Sequence, residues 1–215
     1  MGKLRFLFAL WMAKLSVPAL KITRHNGTDF PGTLALKLCP DFLKYVGRPK
    51  TIIAVTGTNG KTTVSNLLAD TLEKAGHRVL INRAGSNVAS GIATALLKGC
   101  DLAGRVKNYD MAVLEVDERS SVRVYPYITP DYIAVTNLFR DSIMRNAHAD
   151  FIADIISRSV PAASKLVLNA DDLISCGLAP ENPRVYFGID RLPESLCQRY
   201  DLPAGRYAAG GQHRE

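Results

Sequence analysis

Residues 51–63 read TIIAVTGTNGKTT, a short apolar run that passes directly into a glycine-rich loop. The continuous apolar residues from Ile52 to Val55 predict a β-strand that is buried on both faces, as in a parallel sheet. Beyond the loop, apolar residues recur at helical spacing and predict an amphipathic helix that ends near Gly76, which is suited to a C-terminal cap. The predicted core face of that helix consists of Val64, Leu67, Leu68 and Leu72.

The loop itself has the composition of a phosphate-binding loop. Its glycines allow the backbone to curl so that N–H groups point at phosphate oxygens, and the N-terminus of the following helix favours the same negative charge. Lys61 is placed to reach the β- and γ-phosphates, and the Thr62 hydroxyl to complete a Mg²⁺ coordination shell. Val55 stands where the common loop has its first glycine, so a glycine-rich turn without a ligand is the alternative. The strand–loop–helix context favours a nucleotide site formed by Gly57, Thr58, Asn59, Gly60, Lys61, Thr62 and Thr63.

A group of carboxylates follows another apolar run. Residues 111–114 (MAVL) predict a strand, which leads into Glu115, with Asp117 and Glu118 close behind. The carboxyl ends of parallel strands meet at one edge of a sheet, so these side chains are expected beside the phosphate loop, where they can hold Mg²⁺ directly or through water. A solvated acidic loop is the alternative, and the neighbouring phosphate loop favours the metal site.

Segments with strand and helix patterns alternate along the chain. This alternation predicts parallel pairing and a doubly wound, mainly parallel α/β sheet of the phosphate-loop NTPase type, with an N-terminal helical appendage. Further strands are predicted at 79–81, 111–116, 132–136, 166–168 and 184–188, and further helices at 32–45, 87–97 and 142–157. The predicted organisation is a helical segment at 1–48, an ATP-binding domain at 49–190, and a tail at 191–215 with the pattern of a frayed or truncated end.

The N-terminal segment contains an apolar run from Phe6 to Ala13. Lys14 interrupts this run, no small-residue cleavage site follows it, and it is too short to cross a bilayer. Helical spacing instead predicts an amphipathic helix that stops near Pro18. Its predicted apolar face consists of Leu4, Leu7, Phe8, Trp11 and Leu15. This face could cover a domain edge, meet a partner or lie on a membrane surface, and packing is the favoured role.

Composition limits the class of protein. Of the 215 residues, 47% are hydrophobic and 22% are charged, which is ordinary for a globular chain and argues against disorder. The net charge of +7 comes from scattered basic residues and does not indicate binding to nucleic acid. The four cysteines are far apart and form no C-x-x-C pair, which favours free thiols in a reducing cytoplasm.

Several segments together resemble the Mur ligases, the ATP-dependent amide-forming enzymes of cell-wall synthesis. Residues 56–63 are similar to their shortened phosphate loop, and residues 114–118 (LEVDE) are similar to the strand-end segment that carries their Mg²⁺ glutamate. Residues 136–141 (TNLFRD) and 168–172 (LNADD) resemble two further family segments. The resemblance covers about residues 20 to 190, and the combination is far more specific than any single motif.

Two shorter segments, 27–32 (GTDFPG) and 82–87 (NRAGSN), resemble more narrowly the MurT-like ligase subunits of lipid II isoglutaminyl synthases. The resemblance implies the fold of the Mur ligase central domain, with ATP and Mg²⁺ as cofactors. Lys61 and Glu115 would be the catalytic residues, and Thr62 and Glu115 the metal ligands. Asn169 would contact the adenine.

The resemblance also implies a reaction and a partner. ATP would phosphorylate the α-carboxylate of the D-glutamate in the lipid II stem peptide, and ammonia from a glutamine amidotransferase subunit (GatD-like) would attack the acyl phosphate. Phosphorylation supplies a leaving group, while Mg²⁺ and Lys61 offset the developing charge. The implied location is the cytoplasm, with the inner membrane face as a peripheral position.

The sequence departs from the family pattern in several places. Many Mur ligases have Asp-His after the Thr-Asn segment, whereas Asp141 is followed here by Ser142, with His148 as a possible substitute. The Asp-Arg-x-Gly of MurT-like chains reads MRNA at 144–147, and only Cys197 represents their four-cysteine ribbon. The C-terminal ligase domain is absent from the sequence, so we expect a fragment that cannot complete amidation by itself.

Three alternatives stay open at the level of sequence. The chain could be a non-catalytic nucleotide-binding module that docks a partner through its N-terminal helix. It could be the product of a truncated pseudogene. It could also be another phosphate-loop enzyme, such as a relative of folylpolyglutamate synthase or a simple NTPase.

Overall fold

The computed structural model describes residues 2–22, 29–82, 87–139 and 149–189. The strands in these ranges are β1 (Thr51–Thr56), β2 (Val79–Ile81), β3 (Met111–Glu115), β4 (Tyr132–Val135), β5 (Lys165–Asn169) and β6 (Arg184–Phe187). The helices are α1 (Gly2–Ile22), α2 (Phe30–Leu38), α3 (Phe42–Tyr45), α4 (Lys61–Lys74), α5 (Ala89–Gly99), α6 (Ser121–Val124), α7 (Ala149–Ser159) and α8 (Leu173–Cys176).

The six strands form one sheet in the order β2-β3-β1-β4-β5-β6, and each neighbouring pair is parallel. Strand β1 lies inside the sheet, where Val55 pairs with Glu115 of β3 on one side and with Ala134 of β4 on the other. Alternate residues of β1 face two different cores: Ile52 belongs to the larger one and Val55 to the smaller one, which includes part of α4. The predicted doubly wound, mainly parallel α/β fold is therefore confirmed.

Helix α1 differs from its prediction in its length and in its buried face. It continues through Pro18 to Ile22. The proline removes one backbone hydrogen bond, but Val17 beside it packs against the core. The buried face consists of Phe6, Ala9, Leu10 and Ala13. Of the predicted face, only Leu7 packs against the core; Leu4, Phe8, Trp11 and Leu15 are exposed.

Other differences are smaller and have local causes. The helix predicted at 32–45 is divided into α2 and α3 around Pro40, whose ring cannot continue a helix. On α4, Leu67 is exposed, and the small residues Ser65 and Ala69 allow close approach to the sheet. Gly76 has a φ of 93°, the left-handed conformation expected of a helix cap. Residues 142–148 of the helix predicted at 142–157 and the predicted tail at 191–215 lie outside the described residues.

One ion pair joins the start of β2 to the start of β3 and makes stability depend on pH. Arg78 donates from Nη2 to Asp110 Oδ1 at 2.9 Å, and its backbone N–H donates to Oδ2 at 2.9 Å. These bonds lower the pKa of Asp110 from 3.8 to about 2. Because the folded pKa is depressed, the stabilisation is present above pH 3.8 and is lost as pH falls toward about 2.

We expect Asp110→Asn to lower the Tm at pH 7, because the substitution removes the charge that pairs with Arg78. The difference in Tm between wild type and variant should disappear near pH 2, where the carboxylate is protonated. A difference in Tm that stays constant with pH would show that the ion pair does not stabilise the fold.

Candidate nucleotide site

The loop between β1 and α4 adopts a conformation that depends on its glycines. Gly57 and Gly60 have φ angles of 126° and 79°, in the region that favours glycine. A Cβ on Gly57 would also collide with the Thr136 hydroxyl and would lie 2.8 Å from the carbonyl oxygen of Asn137. The loop is therefore packed against the segment that follows β4, and a side chain at Gly57 would displace it.

That segment, Thr136 to Phe139, holds the loop through a set of hydrogen bonds. The backbone N–H of Thr58 donates to the Asn137 carbonyl at 2.7 Å, and the N–H of Asn59 donates to Asn137 Oδ1 at 3.0 Å. In return, Thr136 Oγ1 donates to the Asn59 carbonyl at 2.7 Å. The TNLF sequence at 136–139 thus shapes the loop, a role that the sequence analysis did not assign to it.

Lys61 begins α4, and its ammonium group is folded back onto the loop. Nζ donates to the carbonyl oxygen of Gly57 at 2.5 Å and to Glu118 Oε1 at 3.0 Å. Both side chains of this ion pair are largely buried. Burial raises the pKa of Glu118, and the nearby Lys61 opposes this rise by favouring the charged carboxylate. The lysine predicted to contact phosphate therefore has a carboxylate partner in the described structure.

Glu115 ends β3 beside the first turn of α4. Thr62 donates from Oγ1 to Glu115 Oε2 at 2.8 Å, and Asn87 donates from Nδ2 to Oε1 at 3.3 Å. Asn82 fixes the backbone of the same residue through two bonds of 2.8 Å. Glu115 is only 6% exposed because α4 and the segment around Asn87 cover it, so the solvated acidic loop that was the alternative does not form at this residue.

These groups line a cavity of about 380 Å³ at the carboxyl edge of the sheet. Its lining residues are Thr58, Asn59, Gly60, Lys61, Thr62, Thr63, Asn87 and Glu115. A larger cavity of about 630 Å³ lies where β2 begins and α5 ends; His77, Arg78 and Lys98 contribute to its lining, and none of the loop residues does. Because the phosphate-loop residues and Glu115 line the smaller cavity, that cavity is the candidate nucleotide site.

The donor set of the smaller cavity fits a hard divalent cation. Glu115 is a buried carboxylate whose two described side-chain hydrogen bonds come from neutral groups, the Thr62 hydroxyl and the Asn87 amide. Carboxylate and hydroxyl oxygens are the ligands that Mg²⁺ takes, with water and phosphate oxygens completing the shell. In the part of the chain that the structure describes, no three His, Cys, Asp or Glu side chains form a metal-binding group. Thr62 and Glu115 could therefore hold Mg²⁺ together with a phosphate rather than as a closed protein cage.

Asn169 lies at the end of β5 and does not line this cavity. Its Nδ2 donates to the Thr136 carbonyl at 2.8 Å, and its Oδ1 accepts from the N–H of Asp171 at 3.0 Å. The amide thus joins β5 to the segment that holds the loop. Its contact with an adenine stays a prediction.

Asp172 is a buried structural residue that sequence reasoning missed. Oδ2 accepts from the N–H of Leu138 at 2.6 Å and from the Ser175 hydroxyl at 2.5 Å, and Oδ1 accepts from the N–H of Ile174 at 3.1 Å. It therefore caps α8 and also fixes the segment at 136–139. The LNADD motif contains this residue, but its role depends on a contact across 34 positions of the chain.

Several predicted features lie outside the described residues. These are 83–86 of the NRAGSN segment, 27–28 of the GTDFPG segment, and Asp141, Ser142, the MRNA segment at 144–147, His148 and Cys197.

A comparison with known protein families gives a match that includes both the parallel sheet and the phosphate loop. The Mur ligase middle domain matches residues 55–184, which include the loop, Glu115 and Asp172. The chain belongs to the Mur ligase family. All of the residues that line the smaller cavity of this Mur ligase chain lie in that matched range.

Individual relatives agree with this assignment. The chain is 35% identical over 184 residues to subunit MurT of the lipid II isoglutaminyl synthase (glutamine-hydrolyzing) of Staphylococcus aureus strain COL, covering 84% of this chain and 41% of that protein. The corresponding subunit of Streptococcus pneumoniae strain ATCC BAA-255 / R6 is 37% identical, over 77% of this chain and 37% of that protein. The Mur ligase chain thus spans less than half the length of these relatives.

A solved structure supports the fold. The MurF ligase of Thermotoga maritima in complex with ADP superposes with a TM-score of 0.55 at 19% identity, covering 76% of this chain and 37% of that one. At this level of identity the likeness concerns the fold alone.

Proposed function

We propose that this Mur ligase chain binds Mg²⁺-ATP through residues 57–63 and serves as the nucleotide-binding part of an ATP-dependent carbon–nitrogen ligase of peptidoglycan synthesis. The observation that carries the proposal is the convergence of three groups. Lys61, the Thr62 hydroxyl and the buried Glu115 carboxylate lie around one cavity, with Thr62 Oγ1 2.8 Å from Glu115. The ADP named for the Thermotoga relative supports the choice of adenine nucleotide. Residues 49–190 are the proposed ATP-binding domain, and 1–48 its helical segment.

The chain's own residues have distinct proposed roles. The N–H groups of the first turn of α4 and the glycine-rich backbone face phosphate oxygens. Lys61 places a positive charge on the transferring phosphoryl group, where it offsets charge in the transition state. Thr62 and Glu115 would hold Mg²⁺, which when bound neutralises phosphate charge. Asn137 and Asp172 keep the loop in this shape.

The finer proposal is a ligase of the lipid II isoglutaminyl synthase type, with a glutaminase subunit of the GatD kind as its partner. It is supported by the names of the two MurT relatives, each more than a third identical to this chain. The carboxylate of the D-glutamate in lipid II would accept the γ-phosphoryl group of ATP, and ammonia would displace phosphate to give the amide. A carboxylate needs such activation because it is a poor electrophile.

A chimera tests the substrate. The 184-residue segment that matches this chain in the Staphylococcus MurT subunit is replaced by the corresponding segment of this chain. The chimera is then incubated with its glutaminase partner, glutamine, Mg²⁺-ATP and lipid II, and stem peptides are analysed by mass spectrometry. We expect amidated lipid II, which disappears in the same chimera with Lys61→Ala. ATP turnover without amide, or addition of D-glutamate to a nucleotide-linked muramyl peptide, would place the chain in another branch of the family.

A substitution at Glu115 tests the metal role. Glutamine retains an acceptor for the Thr62 hydroxyl but removes the charge, so we expect Glu115→Gln to weaken ATP binding by about tenfold or more in Mg²⁺ and to change it little in EDTA. Calorimetric titration measures both affinities. Asp117→Asn is the matched control, because the Asp117 carboxylate accepts from the N–H groups of Arg119 and Ser120 and does not line the cavity. Equal losses with and without the metal would assign Glu115 a structural role.

A further inference from the structure

Helix α1 carries a second apolar face that the core does not cover. Its buried residues contact α2, α3 and α5, and the side chains between them point outward. We call this exposed face the outer stripe; it consists of Leu4, Phe8, Trp11, Met12 and Leu15. Leu4 is 77% exposed, Phe8 54%, Trp11 49% and Leu15 66%. Their spacing places them along one side of the helix, so the stripe is continuous.

Polar side chains hold α1 in this orientation. Arg5 Nε donates to the carbonyl of Leu38 at 2.6 Å, at the end of α2. Lys14 Nζ donates to the carbonyls of Leu97 and Cys100 at 2.7 Å each, at the end of α5. Cations are favoured at the C-terminal ends of helices. Because the other face is fixed to the core by these bonds and by packing, the helix cannot roll to bury the outer stripe.

The loop after α5 extends the apolar surface. The indole N–H of Trp11 donates to the carbonyl of Leu102 at 2.8 Å, which holds the ring at the surface. Leu102 itself is 68% exposed. The end of α5 lies at the edge where the strands begin, opposite the edge that holds the phosphate loop, so the outer stripe is separate from the nucleotide site.

The charges around the outer stripe are mostly positive. Lys3 is exposed on α1, and residues 1–22 contain no acidic residue. Arg105 and Lys107 lie close by on the loop after α5, in the lining of a cavity that also includes Lys14 and Leu102. The one acidic residue of that lining, Asp101, is paired with Arg105 at 3.3 Å. We call Lys3, Arg105 and Lys107 the basic rim of the outer stripe. An apolar face that contains aromatic residues and has such a rim is complementary to an anionic lipid surface.

We propose that the outer stripe lies on the surface of a bilayer that contains anionic phospholipids. Leucine and phenylalanine side chains would enter the acyl boundary, Trp11 would lie at the interface, and the basic rim would contact phosphate headgroups. Among the residues that the structure describes, no helix is both long and apolar enough to cross a membrane. Because α1 packs against α2 and α5 along its other face, the contact proposed here is one with the membrane surface. This proposal does not depend on the proposed ligase activity.

Vesicle binding of the full 215-residue chain tests the proposal. Trp11 is the only tryptophan in the sequence, so its fluorescence reports on the outer stripe alone. With vesicles of 70% phosphatidylcholine and 30% phosphatidylglycerol we expect cosedimentation, a blue shift of the emission, and quenching by lipids brominated in the acyl chains. Vesicles of phosphatidylcholine alone should bind more weakly. Lys3→Gln should weaken binding to the anionic vesicles by about fivefold.

A matched pair of triple variants separates the outer stripe from general hydrophobicity. Leu4→Gln/Phe8→Gln/Leu15→Gln should weaken vesicle binding by about tenfold or more. The control Leu67→Gln/Phe151→Gln/Leu173→Gln changes the same residue types at positions of 65%, 53% and 79% exposure and should bind as wild type does. Circular dichroism checks that both triple variants fold. Quenching of Trp11 by brominated lipids is measured in the wild type, so it tests the proposal even if a variant does not fold.

Three results would overturn the proposal. The first is no binding to anionic vesicles, and the second is binding without a change in Trp11 emission. The third is a concentration-dependent dimer that is broken by the outer-stripe variant while vesicles remain unbound, which would assign the face to a second copy of the chain. None of these results bears on nucleotide binding, so failure here is distinguishable from failure of the proposed function.

Discussion

Lys61→Ala is expected to weaken the binding of Mg²⁺-ATP by about tenfold to a hundredfold. A charge-assisted contact to phosphate contributes about 1.5–3 kcal/mol, and each 1.4 kcal/mol is about a tenfold change in affinity. The contact is available because Lys61 begins α4 at the cavity formed by residues 58–63. Calorimetric titration with ATP in Mg²⁺ measures the loss, and equal affinities in wild type and variant would remove the phosphate loop from the proposal.

The same substitution has a second effect that must be separated from the first. Removal of the ammonium group leaves the buried Glu118 carboxylate without the ion pair at 3.0 Å, which lowers the free energy of unfolding. The double variant Lys61→Ala/Glu118→Gln removes that unpaired charge. We expect it to recover stability relative to Lys61→Ala while its ATP affinity remains low. Recovery of affinity together with stability would show that the lysine acts through folding.

Asp172→Ala is expected to lower the free energy of unfolding by about 3–5 kcal/mol. The carboxylate accepts three hydrogen bonds from Leu138, Ile174 and Ser175, and the alanine leaves these donors without their acceptor in a buried site. Urea denaturation monitored by circular dichroism measures the change, with an unchanged m-value as the sign that two-state behaviour is retained.

The conservative replacement Asp172→Asn provides the control. It keeps the carbonyl oxygen that caps α8 but has one acceptor atom instead of two, so its loss should be smaller. The residue also fixes the segment at 136–139, so each variant should weaken ATP binding in parallel with its loss of stability. An alanine variant as stable as wild type would show that the bonds of Asp172 are replaced by water.

Much of the fold could be predicted from the sequence because local pattern and tertiary position agree in the strands. The apolar run at 52–55 has no polar position, and the structure places it inside a parallel sheet between two helical layers. Helix α1 is a case in which the sequence pattern does not predict the buried face. Both of its faces are apolar, so spacing alone cannot choose between them. The buried face contains Ala9 and Ala13, whose small size permits close packing, whereas the bulkier stripe remains outside.

The candidate site, too, could be predicted only in part from the sequence. A contiguous motif identified residues 57–63, and the structure brings Thr62 into contact with Glu115 across 53 positions. The supports of the loop could not be predicted in this way, because both act through contacts with distant backbone groups. The Asn137 contact exists only after β1 and β4 have paired, and the Asp172 contact only after β4 and β5 have paired. Burial of Glu115 was also missed, since a strand-end residue is covered or open according to what packs above it.

The ion pair between Lys61 and Glu118 links the proposed nucleotide site to proton uptake. When Mg²⁺-ATP binds, we expect Lys61 to turn from the Glu118 carboxylate to phosphate, which would leave Glu118 without the cation that opposes the effect of burial on its pKa. We then expect the pKa of Glu118 to rise further and the carboxylate to take up a proton from solvent. The expected result is an affinity for ATP that increases as pH falls toward the pKa that Glu118 has in the complex.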